Sequence, residues 1–292
     1  MSKLLEGRVA VVTGSGNGIG RAEAIGLAAQ GARVVVNDIG TSVDGKGSSQ
    51  KPADAVVSEI KNSGGSAVAN YDSVATEKGA DAIIQAAIDN FGRIDVLINN
   101  AGVVCALRGV DEVHSSDWEN VLRTHLFGTF YCTRRAAAFM KKQGYGRIVN
   151  TSSHVGLGWK GNTVYGAAKE GIVGFTRSVA RDMAEFGVTC NAIRPLAAWR
   201  GSPVITPEMA PNRPEDIAAL VVYLASEQAD HINGCIFEVW HGHVALFIEP
   251  PPVLDTLKKD GSWTPEELAK AIAQTLTKGR SREKFAETFH LG

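Results

Sequence analysis

The chain has 292 residues, 44% hydrophobic and 21% charged, with 30 Lys plus Arg against 31 Asp plus Glu and a formal net charge of −1. This is enough apolar material for one large α/β domain or two small ones. The balanced charge, with no basic block, argues against nucleic acid as a partner. Cys105, Cys132, Cys190 and Cys235 match no metal or redox spacing. No apolar run approaches the roughly 18 residues of a membrane span, and "MSKLLEGR" is too short and too charged for a secretory signal. A reducing, cytoplasmic setting with no membrane partner is the expectation.

In chain order, "RVAVVTG" (8–14) predicts a buried strand and "IGRAEAIGLAAQG" (19–31) the helix after it. "ARVVVND" (32–38) is a second strand, followed by a Gly/Ser-rich loop insertion (39–53), a helix over 54–65 and the strand "SAVANYD" (66–72). A helix near 76–91 leads to the strand "RIDVLINNAG" (93–102), and one long helix is predicted over 116–142. "GRIVNTSS" (146–153) is the fifth strand, with a helix over 163–186 behind it. "VTCNAIRP" (188–195), a helix near 214–226 and "CIFEVW" (235–240) complete the series. Strands alternating with helices predict a doubly wound, seven-stranded parallel sheet over 1–240. Residues 241–292 read as an irregular and helical C-terminal extension, packed on the domain or on a partner subunit. It breaks at three consecutive prolines and ends in a capped helix over 264–276.

"TGSGNGIG" (13–20) lies between the first strand and the first helix. Its glycines allow a tight turn and close backbone approach, and the helix N-terminus attracts a pyrophosphate. Gly14, Asn17, Gly18, Ile19 and Gly20 are therefore candidate dinucleotide contacts on a Rossmann-type fold. Asp38 ends the second strand about 20 residues on, where an acid binds ribose hydroxyls and repels a 2′-phosphate. Asn17 supplies no compensating charge, and Arg21, which could in principle, reads as a solvated helix residue, so NAD is the expected cofactor. Asp72 ends the third strand, where it either touches adenine or caps a turn. Asn99, Ala101 and Gly102 in "NNAG" end the fourth strand at the same edge, where an open parallel sheet collects ligands.

Tyr165 and Lys169 in "VYGAAKEG" are four residues apart, one helical turn, just after Ser152 and Ser153. With "TGSGNGIG", "NNAG" and the serine pair, this ordered set resembles the short-chain dehydrogenase/reductase family over residues 8–240. The resemblance implies that Tyr165 is the general base, its phenol having an ordinary pKa of about 10 that a neighbouring ammonium and a positively charged nicotinamide would lower. It implies that Lys169 also holds the nicotinamide ribose, that serine binds the substrate oxygen, and that Pro195, in a Pro195-Leu196 turn where Pro-Gly is common, contacts the cofactor. It further implies a homodimer or homotetramer built through the long helices.

Within the family, "VVVNDIG", "GSAVANYDSV", "RTHLFGTF" and "GRIVNTSS" are similar to the (3R)-hydroxyacyl-CoA dehydrogenase domain of multifunctional enzyme type 2 and its bacterial relatives. That similarity implies NAD-dependent oxidation of a 3-hydroxyacyl-CoA. His125 stands where most of the family places a catalytic asparagine, and is either a hydrogen-bonding relay or a packed core histidine. Ser153 precedes Tyr165 by 12 residues, one fewer than usual, and Ser152 by 13; the place in "TSSHVG" favours Ser153, with a shortened loop after it. Trp159 in that loop is a candidate substrate wall beside Lys160, and Arg200 a candidate contact for a phosphate or carboxylate; packing and solvation explain them equally well. His241 and His243 have no supporting ligands, so no metal is expected. A hydroxysteroid or terpenoid alcohol, free or CoA-linked, is the alternative substrate, and a non-catalytic NAD-binding scaffold the alternative role.

Overall fold

The computed structural model describes residues 3–197 and 212–282. Seven short runs rich in β-branched residues form strands β1 (Val9–Thr13), β2 (Arg33–Asn37), β3 (Ser66–Asn70), β4 (Val96–Asn99), β5 (Gly146–Thr151), β6 (Val188–Pro195) and β7 (Ile236–Trp240). They pair in parallel in the order β3-β2-β1-β4-β5-β6-β7. Near-continuous apolar runs suit this arrangement because both faces of a parallel sheet are covered.

Side chains alternate between the faces. Ala10 and Val12 of β1 pack with α1 (Gly18–Ala29), α2 (Lys51–Asn62) and α7 (Pro214–Leu224). Val9 and Val11 pack on the other side with α3 (Glu77–Phe91), α5 (Gly128–Gln143) and α6 (Thr163–Met183). The strand order reverses between β1 and β4, so a crevice opens beyond their carboxyl ends.

The structure corrects two expectations from the sequence. The sheet has eight strands, not seven: β8 (His243–Leu246) pairs antiparallel with β7, after a reversal in which Gly242 takes a φ of 67°. A four-residue edge strand next to a proline run carries too little pattern to be recognised. The continuous helix expected over 116–142 is α4 (Ser115–Leu122), a π-helical turn over Arg123–Phe127 and then α5. A π-turn widens the hydrogen-bond spacing without a breaker residue, so hydrophobic periodicity does not reveal it.

The chain divides into two units after Phe247. In the second, α8 (Pro265–Gln274) starts with a capping box in which Glu267 N–H donates to Thr264 Oγ1 and Thr264 N–H to Glu267 Oε2. Among the described residues no helix is long and apolar enough to cross a membrane.

One core group runs against the pattern. Glu23 of α1 is fully buried, neither carboxyl oxygen has a hydrogen-bond partner, and burial raises its pKa to about 8. The raised value means that folding stability is complete below pH 4.5 and falls as pH rises through 8. Glu23→Gln removes that titration. The free energy of unfolding should fall between pH 5 and 8.5 for the wild type, by on the order of 4 kcal/mol, and stay nearly level for the variant; equal slopes would contradict the buried acid.

Candidate active site

The loop from β1 into α1 is shaped by what it lies against. A Cβ at Gly14 would meet the Ala101 Cα at 2.7 Å, and one at Gly20 would meet the Asn100 Nδ2 at 2.4 Å. Gly18, at φ 54°, has nothing within 4 Å of such a carbon. Two glycines thus let the loop close on the end of β4, while the third faces open space. The N-terminus of α1 has no side-chain cap from Asn17 and no acidic residue in its first turn. Its free N–H groups and positive dipole end suit an anionic group such as a pyrophosphate. The residues present therefore fit a dinucleotide.

Asn100 holds this loop: its Nδ2 donates to the carbonyls of Thr13 and Gly14, both at 3.0 Å, while Thr13 Oγ1 accepts from Asn100 N and Ala101 N at 3.1 Å. Sequence reasoning placed Asn100 at the edge but assigned it no part; the doubled asparagine was the available signal. Its neighbour Asn99 is buried and donates to Thr133 Oγ1 and Asn150 Oδ1 at 3.0 and 2.8 Å, so its side chain serves the interior. Asp38 accepts from Gly16 N at 2.7 Å and Gly40 N at 2.6 Å, which ties the β2 end to the glycine loop. Arg21 is paired with Glu59 at 2.5 Å. Asp72 accepts from Asn70 Nδ2 at 2.8 Å, within the turn that ends β3.

Beyond β5, the two serines separate by role. Ser152 is buried and its Oγ donates to the Lys169 carbonyl at 2.8 Å. Ser153 is half-buried, accepts from Val155 N at 3.2 Å, and its hydroxyl lies close enough to Tyr165 to act on the phenol's pKa. Lys169 is buried, donates to the Thr151 carbonyl at 2.7 Å, and has its Nζ 5.4 Å from the centre of the Tyr165 ring. Burial pushes the half-buried Tyr165 phenol up to about 12, and pushes Lys169 down to about 7. The expected lowering of the phenol is thus not found: desolvation raises it, and the one opposing influence is the Ser153 hydroxyl.

His125 lies in the π-turn with its ring edge-on to Tyr165 at 5.1 Å. Its Nε2 is 2.7 Å from the Val103 carbonyl oxygen and 3.0 Å from the Val103 amide nitrogen, and its buried Nδ1 has no hydrogen-bond partner. Burial pushes its pKa down to about 3, helped by Lys169, so the imidazole is neutral at pH 7. Gly102 admits the ring, since a Cβ there would meet the His125 Cε1 at 2.4 Å.

Other candidates stand further out. Trp159, 36% exposed, lies in the turn after Ser153, and that loop is tied to Arg108 by Arg108 N–H donating to the Gly161 carbonyl at 3.0 Å. Pro195 ends β6 at the ligand edge. Arg200 lies outside the described residues. A cavity of about 390 Å³ lined by Val110, Val113, Ser115, Trp118, Glu119 and Thr163 contains none of the candidate catalytic side chains. His243 and His241 bind Glu238 and Asp216, at 2.7 and 3.3 Å; among the described residues no group of three or more His, Cys, Asp or Glu side chains is arranged to hold a metal ion.

The family described as short chain dehydrogenase matches residues 8–198. The chain is 43% identical, over 82% of its length, to the peroxisomal multifunctional enzyme type 2 of Mus musculus, of which it covers 32%. It thus spans about a third of that relative. It is 35% identical to the hydroxyacyl-CoA dehydrogenase ChsB1 of Mycobacterium tuberculosis, over 97% of this chain and 93% of the relative. Its fold is similar to the crystal structure of a short chain dehydrogenase from Mycobacterium avium, with a TM-score of 0.84 and 41% identity over 95% of this chain and 97% of the other. With this fold, glycine loop and Ser–Tyr–Lys cluster, the chain belongs to the short-chain dehydrogenase/reductase family, close to the dehydrogenase domain of multifunctional enzyme type 2, and is an oxidoreductase acting on CH–OH groups.

Proposed function

We propose that the chain is an NAD-dependent dehydrogenase that interconverts a 3-hydroxyacyl-CoA and its 3-oxoacyl-CoA. The observation that carries this reading is the Ser153–Tyr165–Lys169 cluster, at the same sheet edge as the uncapped glycine loop. Kinship with relatives named for multifunctional and hydroxyacyl-CoA dehydrogenase enzymes supports the acyl-CoA substrate.

Gly14, Asn17, Gly18, Ile19 and Gly20 would hold the pyrophosphate, and Asp38 the adenosine ribose. Asp72, Ala101 and Gly102 would line the adenosine and nicotinamide sides, Asn99 contributing through its backbone, with Pro195 at the nicotinamide end and Lys169 on its ribose. Bound NAD supplies the hydride acceptor. The carboxylate of Asp38 favours NAD over NADP, because a 2′-phosphate would meet like charge there while Arg21 is engaged by Glu59.

Ser153 donates a hydrogen bond to the substrate oxygen and Tyr165 exchanges the proton. With its pKa at about 12, the phenol is protonated at neutral pH and ready to donate to a ketone oxygen. In oxidation it must accept a proton, which needs positive charge close by; Lys169, at about 7, sits where it can provide that charge or pass a proton onward. His125 is neutral and bound to Val103, so it orients the Tyr165 ring rather than carrying a proton.

A second reading, a hydroxysteroid or terpenoid alcohol, free or as its CoA thioester, is favoured by the exposed Trp159 ring in the loop after Ser153. Self-association through the π-turn and α5 is supported by the exposed Phe127 and Phe130; sedimentation at the monomer mass would remove it.

Initial rates on 3-hydroxyacyl-CoA, steroid and terpene alcohol panels, each with NAD and NADP, test the reading. The highest kcat/KM should be for a 3-hydroxyacyl-CoA with NAD; a higher value for a free ring alcohol favours the second reading, and a higher value for NADP contradicts the role of Asp38. Tyr165→Phe should lower kcat by about 10²–10⁴-fold and Ser153→Ala by about 10²-fold. Ser152→Ala should chiefly cost about 1 kcal/mol of stability. The reverse ranking of the serines would overturn their assignment.

A further inference from the structure

Directly behind Ser153 lies a polar cluster that neither the proton-handling residues nor the dinucleotide cradle uses. The buried His154 opens the turn over His154–Leu157, and its Nε2 is 2.7 Å from Glu238 Oε2. The other carboxylate oxygen, Glu238 Oε1, is 2.7 Å from Nε2 of His243. One carboxylate of β7 therefore grips two imidazoles, one from the segment after β5 and one from the first residue of β8. A carboxylate only accepts, so both Nε2 atoms carry hydrogens. Burial works to raise the pKa of Glu238, but the bonds from His154 and His243 prevail and hold it below its ordinary value.

The surroundings make this a rigid unit. Trp240 stacks on His243 at 3.8 Å and 10°, and stands 5.9 Å from the His154 ring; Phe247 is 6.2 Å from His154 on the same hairpin. The other charged groups here are Arg194, which lies opposite Glu238 in the β6–β7 register, and Glu170 of α6, which binds Arg194 at 3.0 Å. Gly156 presses the turn onto α6: a Cβ there would meet Glu170 Oε2 at 2.8 Å. The turn is thus fixed at His154 and at Gly156.

Ser153 is the residue that caps this turn, in extended conformation at φ −163°. Its hydroxyl is tied within its own segment only by the 3.2 Å bond from Val155 N. A hydroxyl that must meet a substrate oxygen works only if the backbone beneath it is held to a fraction of an ångström. We propose that Glu238 is a positioning residue: through His154 it holds Ser153 within reach of Tyr165, and β8 completes the clamp by supplying His243. This rests on the reading of Ser153 as the hydroxyl that binds substrate.

The test uses Glu238→Gln in the full chain. An amide offers one acceptor and sets its NH2 against the second imidazole N–H, so the clamp opens without a change of size. Turnover of the 3-hydroxyacyl-CoA should fall by about tenfold while dinucleotide Kd changes by less than about twofold. KM for the 3-hydroxyacyl-CoA should change far less than kcat, since the clamp positions the hydroxyl rather than building the binding surface. In a double variant, Glu238→Gln with His154→Ala should lose no more turnover than the worse single one, since both act along one path. A folded Glu238→Gln protein with wild-type kcat overturns the proposal, as does an additive double variant. If Glu238→Gln does not fold, His243→Ala at the sheet edge replaces it: a lowered kcat at unchanged dinucleotide Kd supports the clamp, and an unchanged kcat overturns it. Wild-type turnover that Ser153→Ala lowers by about 10²-fold keeps the functional reading standing whichever way Glu238 turns out. A wild type silent on every secondary alcohol overturns both.

Discussion

Two hydrogen bonds between α6 and the end of β5 set the geometry on which the reactive groups depend. The Lys169 ammonium donates to the Thr151 carbonyl, and the Ser152 hydroxyl donates back to the Lys169 carbonyl. A buried ammonium is tolerated only where a dipole replaces water, and the depression of Lys169 to about 7 shows how far burial works against the charge. Because the pin joins residue 169 to residues 151 and 152, the next residue of the chain, Ser153, meets the residue one helical turn earlier, Tyr165. Two adjacent serines thereby take different duties. One is spent on the pin and one is left beside the phenol.

The dinucleotide half of the site depends on shape more than on charge. Gly14 and Gly20 allow the loop to touch the β4 exit, and Asn100 bonds the two strand ends where the sheet order reverses. What remains exposed is the uncapped start of α1, an electrostatic site made of backbone alone. Asp38 contributes twice: its carboxylate braces Gly16 and Gly40, and it keeps negative charge at the β2 end. The two halves meet at Gly102, whose missing side chain admits His125, and His125 in turn lies against Tyr165. The glycine loop's strand end and Tyr165 are thus linked through direct packing.

Much of this was legible in the sequence, because the signals are local. Strand–helix alternation, the glycine spacing of residues 14–20, Asp38 at a strand end and the four-residue step from Tyr165 to Lys169 all lie within single elements or their junctions. The features that escaped depend on contacts between distant segments. Asn100 acts on residues 86 and 87 positions earlier, and His154 finds Glu238 84 positions later. Likewise, β8 is a strand only because β7 has a free edge, and the π-turn at His125 reflects packing rather than a breaker residue. The direction of the Tyr165 pKa shift escaped for the same reason: a charge pair can be read from spacing, whereas desolvation exists only after folding.

The central claim is that this edge of the sheet brings a secondary alcohol, a nicotinamide and the Ser153–Tyr165 proton path together. Its most direct test is isotopic: oxidation of a 3-hydroxyacyl-CoA carrying deuterium on its carbinol carbon, with the reduced dinucleotide recovered and analysed by mass and proton resonance. The account predicts that the label arrives at one face of C4 of NADH, with slower turnover for the labelled substrate whenever hydride transfer limits the rate. Product formed without label in the nicotinamide, or no oxidation of any labelled secondary alcohol, would contradict it.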